Sequence, residues 1–396
     1  MKILHTSDWH LGQTLYNYDR TEEQMAMMIE MVKIVKAHKP DVFLLCGDVY
    51  HSPQPSATVQ TMFTNALVEI HNANPDMTMV VTAGNHDSGT KHDIFRTPWK
   101  AMKVYTVGSI DASQKDEMIV EIPGKGYVVA VPYVNERNLP RGLFQELLDI
   151  VEEKNADNLP VVMTAHTTVR GCDFAGHENV VRQGCGTADD YTVGGIDSYD
   201  LDDMGTGYDY LALGHIHHGQ FIHSGRHNVR YCGTPIPVSF DENYKHSVSI
   251  VEIAEHGGKP MVEEIEIKPY RPLVTLPTKG VATWEYAKEL LENYPNDIEA
   301  YIRLNVEVDD FLPVEANAEA LMICEEKRCR FCVINSRRLK KNCREAKVMS
   351  VEEFKTEDPI AIAERYAEDL GIEFDSDMKH MFRETLAALS GDEERM

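Results

Sequence analysis

The chain has 396 residues, 43% of them hydrophobic and 26% charged, with a formal net charge of -25 at pH 7. That length exceeds one ordinary core, so one large domain with smaller pieces is expected, and the composition is that of a folded soluble chain. MKILHTSDWHLG at the start lacks the apolar core of a signal peptide, and no run approaches the roughly 20 apolar residues of a membrane span, which predicts a cytoplasmic protein with its eight cysteines as reduced thiols. Averaged over its surface such an acidic chain is repelled by nucleic acid, so any DNA binding must come from metal ions, a local basic patch or a partner.

In chain order, KILHTSD (2–8) reads as a strand, 20–38 has helical apolar spacing, and DVFLLCGD (41–48) is a buried strand running into a glycine turn. A helix over 56–73 follows, then MTMVVTAGNHD (77–87), a strand that empties into a polar loop. VVMTAH (161–166) and YDYLALGH (208–215) end the same way. From Val229 the character turns to β, with VRYCGTP, SVSIVEIA and MVEEIEI as strands. The pattern predicts an α/β sandwich whose strands are buried on both faces.

The strand ends carry the chemistry. They deliver Asp8 and His10, then Asp48, then Asn85, His86 and Asp87, then His166, then His215 and His217. Ligands collect at the carboxyl ends of strands in α/β sheets, so residues spread over more than 200 positions can converge there. Carboxylate, imidazole and amide oxygen together suit manganese, iron(II) or zinc. A carboxylate from a middle strand can bridge two ions about 3.5 to 4 Å apart, a pair that activates water for attack on phosphorus. His215 and His217 have the two-residue spacing that points side chains the same way in an extended segment. Asp87 reads as a turn-forming residue behind the ligands; His218 and His223 match no ligand position.

DWH, GDVYHSPQPS, GNHD, TAH and GHIH, in this order and spacing, resemble the signature of the calcineurin-like metallophosphoesterases. HTSDWHLGQTL and GDVYHSPQPSATV are similar to the SbcD-type nucleases within them. The motifs cover residues 1 to about 240; the last third agrees only in layout. The resemblance implies a four-layer α/β/β/α sandwich with a smaller α+β cap and a C-terminal helical pair. It implies two divalent ions, manganese foremost: one on Asp8, His10, Asp48 and His217, the other on Asp48, Asn85, His166 and His215. His86 would contact the scissile phosphate and assist the leaving oxygen, and His51 would help to position the phosphate. It also implies a DNA exonuclease and endonuclease, an SbcC-type coiled-coil ATPase as partner, and a homodimer through the nuclease domain. No GxxxxGK[ST] occurs in this chain, so any ATP dependence belongs to a partner.

The remaining signals lie towards the C-terminus. Two prolines and a glycine in YRPLVTLPTKG (270–280) interrupt the β pattern, and helix, strand, helix, strand follow over 283–293, 299–308, 315–325 and 328–336. The expected organisation is a nuclease domain over 1–270, a cap over 271–350 and a helical pair over 351–396. From Lys327 to Lys347 nine Lys or Arg residues meet one acidic residue, which is either a solvated face or a DNA-backbone contact through Arg337, Arg338, Lys340 and Lys341. Cys324, Cys329, Cys332 and Cys343 imitate an iron–sulfur spacing, but strand alternation sets Cys329 and Cys332 on opposite faces, which favours plain thiols. DPIAIAERYAEDLGI begins with Asp as N-cap and SDMKHMFRETLAAL with Ser in the same role. The apolar stripe of Met378, Met381, Phe382, Leu386 and Leu389 either packs on the cap or docks on the ATPase. Two other functions stay open: a small-molecule phosphoesterase on the same fold, for which the patch and terminal helices would have no use, and a non-catalytic binding module, against which the full ligand set speaks.

Overall fold

The computed structural model describes residues 1–135, 138–174, 198–222, 227–309, 311–338, 358–370, 375–376 and 378–383. His223, Lys340, Lys341 and Cys343 lie outside the described residues, as do Leu386 and Leu389 of the terminal apolar stripe. The chain divides into two compact units, 1–306 with 312–336, and 307–311 with 337–396.

The first unit opens with β1 (Lys2–Thr6), α1 (Thr21–His38), β2 (Val42–Cys46), α2 (Ala57–Ala73), β3 (Thr78–Thr82) and β4 (Val104–Val107). It continues with β5 (Ile119–Ile122), β6 (Gly126–Ala130), α3 (Leu143–Lys154), β7 (Val161–His166), β8 (Tyr210–Gly214), β9 (Gln220–Phe221), β10 (Val229–Tyr231), β11 (Ser247–Glu252) and β12 (Met261–Glu266). These strands make two six-stranded sheets, ordered β12-β11-β1-β2-β3-β4 and β9-β10-β8-β7-β6-β5. The centres, β1 to β4 and β6-β7-β8-β10, are parallel; β11, β12, β5 and β9 are antiparallel additions.

Alternation along each central strand explains the layers. In β2, Val42, Leu44 and Cys46 join the core between the sheets, while Phe43 and Leu45 face the helices with Met27, Met31, Phe63 and Leu67 of α1 and α2. On the outer side of the second sheet, α3 supplies Leu143, Leu147 and Val151. This is the expected α/β/β/α sandwich. Ser56 caps α2, its side chain accepting from the Val59 amide.

A small sheet follows in the order β13 (Leu273–Leu276), β14 (Tyr301–Val308) and β15 (Arg330–Arg338), with α4 (Trp284–Glu292) and α5 (Ala316–Glu325). It is locked to α1 by buried charge. Arg271 donates to Glu23 at 2.5 Å, Glu22 at 3.1 Å and Glu299 at 2.9 Å, and the Tyr301 hydroxyl donates to Glu23 at 2.7 Å. In the second unit α6 (Pro359–Leu370) begins at Asp358, whose carboxylate accepts from the Ile360 amide. The next helical stretch departs from the expected cap: Asp375, not Ser376, holds that position, its carboxylate accepting from the Met378 amide at 2.8 Å. An ionised acceptor at the helix start outcompetes the hydroxyl one position later.

Candidate metal centre

Five strands end at one place. β1, β2 and β3 of the first sheet and β7 and β8 of the second present Asp8 and His10, Asp48, Asn85 and His86, His166, and His215 and His217 from their carboxyl ends. Close approach of the two sheets there requires glycine. A Cβ on Gly47 would overlap the His166 ring, and one on Gly214 would overlap the Cys46 carbonyl. The backbone is strained as well: Asp8, His10, Asp48 and His215 are all left-handed, with φ of 53°, 44°, 48° and 95°. Each such non-glycine residue costs about 1 kcal/mol or more, a concentration typical of functional sites.

The donors gather in two groups around Asp48. Asp48 Oδ2 lies 3.7 Å from His10 Nε2 and 3.5 Å from His166 Nε2, and its other oxygen accepts from the His86 amide at 2.8 Å. On one side His10 Nε2 and His217 Nε2 are 3.2 Å apart, with Asp8 adjoining. On the other, Asn85 Oδ1 is 3.1 Å from His166 Nε2 and 3.0 Å from His215 Nδ1. Asp8, His10 and His217 can share an ion, as can Asp8, Asp48 and His166. His10, His51 and His86 form a third close group, in which the His51 and His86 rings stack at 5.6 Å. His86 Nδ1 meets the His51 carbonyl at 3.0 Å.

His215 and His217 do not act as neighbours on one strand face. β8 ends at Gly214 and the positive φ of His215 breaks the extended run, so the two imidazoles enter different groups. The period-2 expectation fails because that segment is not extended. His218, which matches no ligand position, stacks on Tyr244 at 4.4 Å and lies 3.3 Å from Asp173.

A cation fits this arrangement because carboxylate, imidazole and amide-oxygen donors converge on it. His217 Nδ1 is 2.9 Å from Glu242 and His166 Nδ1 is 2.8 Å from the Cys46 carbonyl, so Nδ1 of each ring is engaged behind the site and both Nε2 atoms point into the centre. There they meet another imidazole nitrogen and an amide oxygen. Burial pushes the Asp8 carboxyl up to about 7 and the His217 imidazole down to about 3. Burial would lower His166 too, but Asp48 overrides it and holds the ring at about 9, while His166, with His10 and His86, holds Asp48 well below the usual carboxylate range against its own burial. A proton on His166 thus does electrostatically what a bound cation does more completely.

Residues 1–219, which carry all of these donors, match the family model of the calcineurin-like phosphoesterases. The chain is a calcineurin-like phosphoesterase. Among curated proteins this phosphoesterase is 26% identical to the SbcD component of the nuclease SbcCD from Escherichia coli (strain K12), over 100% of both chains. It is 28% identical to the same component from Rhodobacter capsulatus, over 71% of this chain and 73% of the relative. For the Bacillus subtilis (strain 168) protein of that name the figures are 29%, 80% and 81%.

Three supports could not be read from the sequence. Glu242 holds His217, the Ser7 hydroxyl donates to Asp8, and the Cys46 carbonyl fixes His166. Ser7 falls within HTSDWHLGQTL but its role is not marked there, Glu242 belongs to no motif, and a backbone carbonyl leaves no residue signature at all. Asp87 braces the loops as expected, its carboxylate accepting from the amides of Gly84, Val49 and Tyr50 at 2.9 to 3.0 Å. Among the described residues no group of three or more potential metal donors contains a cysteine, and Cys324 and Cys329 sit as free thiols 3.7 Å apart.

Proposed function

We propose that this phosphoesterase is a dinuclear metal-dependent DNA nuclease of the SbcCD type. The observation that carries the reading is the pair of donor groups gathered around Asp48, each combining carboxylate and imidazole and one of them adding an amide oxygen. Asp8, His10, Asp48 and His217 would hold one ion and Asp48, Asn85, His166 and His215 the other, with manganese the expected metal. When bound, two such ions clamp and acidify a water for in-line attack on a phosphodiester.

The chain's own residues supply the rest. His86, anchored through its backbone amide on Asp48 and through Nδ1 on the His51 carbonyl, keeps Nε2 for the phosphate and the leaving oxygen. The stacked His51 ring lines the same opening and positions the phosphate. The relatives named as components of SbcCD support DNA as substrate and an SbcC-type ATPase as partner. Exonuclease action at duplex ends with 3' to 5' polarity and endonuclease action on single strands or hairpins belong to the same reading, as does a cytoplasmic location. No described helix is long and apolar enough to cross a membrane.

The division into nuclease (1–270), cap (271–350) and docking helices (351–396) is part of the proposal. So is a homodimer through the nuclease domain, supported by the apolar groove of about 520 Å³ between α1 and α2, where Met25 and Ile29 are half exposed. The deciding assay is manganese-dependent cleavage of end-labelled duplex and hairpin DNA, beside a generic phosphodiester. Cleavage lost in both Asp48→Ala and His86→Ala supports the nuclease. Hydrolysis of the small ester with DNA left intact, even after addition of the ATPase, moves the reading to a small-molecule phosphoesterase.

A further inference from the structure

Glu242 stands in the loop between β10 and β11, with its side chain 1% exposed. Oε1 lies 2.9 Å from His217 Nδ1, and Oε2 accepts from the Val238 amide at 3.0 Å. With the carboxylate as acceptor, the imidazole proton sits on Nδ1 and the Nε2 lone pair faces His10 Nε2 at 3.2 Å. The loop that carries Glu242 is tied down from two directions. From the site, the Gln13 amide donates to the Val238 carbonyl and Arg20 to the Pro237 carbonyl, both at 2.8 Å. From the small sheet, Arg303 of β14 donates to Asp241 at 2.6 Å and to the Phe240 carbonyl at 3.1 Å.

We propose that Glu242 is a positioning residue that fixes His217 in its Nδ1–H tautomer, so that Nε2 serves as a metal donor, and that Arg303 of the small sheet holds the loop in place. The inference rests on the two-ion reading above. It extends the centre by one layer: a carboxylate behind an imidazole orients the ring and raises its basicity, and loss of such a partner weakens metal affinity about 10- to 100-fold.

The Val238 amide makes Glu242→Gln decisive. A glutamine has one oxygen and one NH2 group. If its oxygen stays on the Val238 N–H, the NH2 faces Nδ1 and donates, which moves the imidazole proton to Nε2 and removes the donor. The change preserves side-chain volume, so a purely structural glutamate would tolerate it.

The experiment uses the full chain labelled with nitrogen-15. Ring-nitrogen shifts of metal-free protein, with His217 assigned through His217→Gln, are read beside manganese binding by calorimetry. Wild type should show the Nδ1–H tautomer and two bound ions. Glu242→Gln should show Nε2–H and bind one ion about 10- to 100-fold more weakly. Arg303→Ala should broaden the His217 signals and weaken the same ion by a smaller factor. Wild-type shifts and affinity in Glu242→Gln overturn the role of Glu242, and an unchanged Arg303→Ala overturns that of Arg303. Fewer than two ions on wild type overturns the two-ion reading instead, while the tautomer in the metal-free protein still decides the role of Glu242. Should Glu242→Ala fail to fold, the volume-preserving glutamine carries the decision.

Discussion

The sandwich and the small sheet use the same polar side chains to opposite ends. In the sandwich, strand ends bring potential metal donors against one another, with Asn85 against His166 and His10 against His217. In and beside the small sheet, cations are answered. Arg271 and Arg303 meet carboxylates, Lys327 donates to three oxygens, Arg328 pairs with Glu299, and Arg330 donates to the Tyr301 hydroxyl. Further along, Arg337 and Arg338 stand exposed, Arg338 over the Phe311 ring at 5.0 Å. Compensated charge builds scaffold, whereas converging donors mark a candidate ligand site. Among the described residues the basic run opens with the paired Lys327, Arg328 and Arg330, and Arg337 and Arg338 are exposed.

Breaking the compensated part should cost most in stability. Arg271→Met leaves the buried Glu23 carboxylate without its cation, for which a loss of about 3 kcal/mol in urea unfolding is expected, partly restored when Glu23→Gln is added. A loss under about 1 kcal/mol would show that the network contributes little beyond packing.

The interior of the sandwich offers a second test, by pH. Burial, then the nearby Arg230, lowers the His5 imidazole to about 3, so the folded chain refuses a proton that the unfolded chain accepts near pH 6.5. Stability is complete above about pH 6.5 and is lost as pH falls towards 3, by at most about 1.4 kcal/mol per pH unit. Between about pH 7 and pH 5 the metal-free wild type should lose about 2 kcal/mol more than His5→Leu. Parallel acid limbs in urea midpoints would count against a neutral buried His5.

The smallest effect belongs to the exposed cations. Replacing Arg337 and Arg338 with glutamate should reduce the slope of log affinity against log salt for duplex DNA by about 2, read by fluorescence anisotropy. An unchanged slope would return both residues to ordinary solvated surface.

Much of this was legible in the residues. Apolar runs placed the central strands within a few positions, because a strand buried on both faces is mostly apolar along its whole length. Every proposed ligand stands at or just after the end of such a run, where a parallel strand must give way to a polar loop. Motif order carried the metal reading further than any single histidine would. The cap of the helix at 375–383 was off by one residue because Ser376 and Asp375 are both good caps, and local sequence does not say which turns into the first turn.

By itself, then, the sequence determined the alternation of strands and helices, the donor types and their order, since these depend on side-chain chemistry and local periodicity. Tertiary structure decided how the donors meet. The motif resemblance already put His215 and His217 on different ions, but the left-handed backbone that turns them into different groups is not revealed by a two-residue spacing. Likewise Glu242 lies 25 residues from His217 in sequence and 2.9 Å from it in space, a pairing created when one loop is pinned between two sheets. Distance along the chain carries no record of such contacts, because they are made by packing and not by pattern.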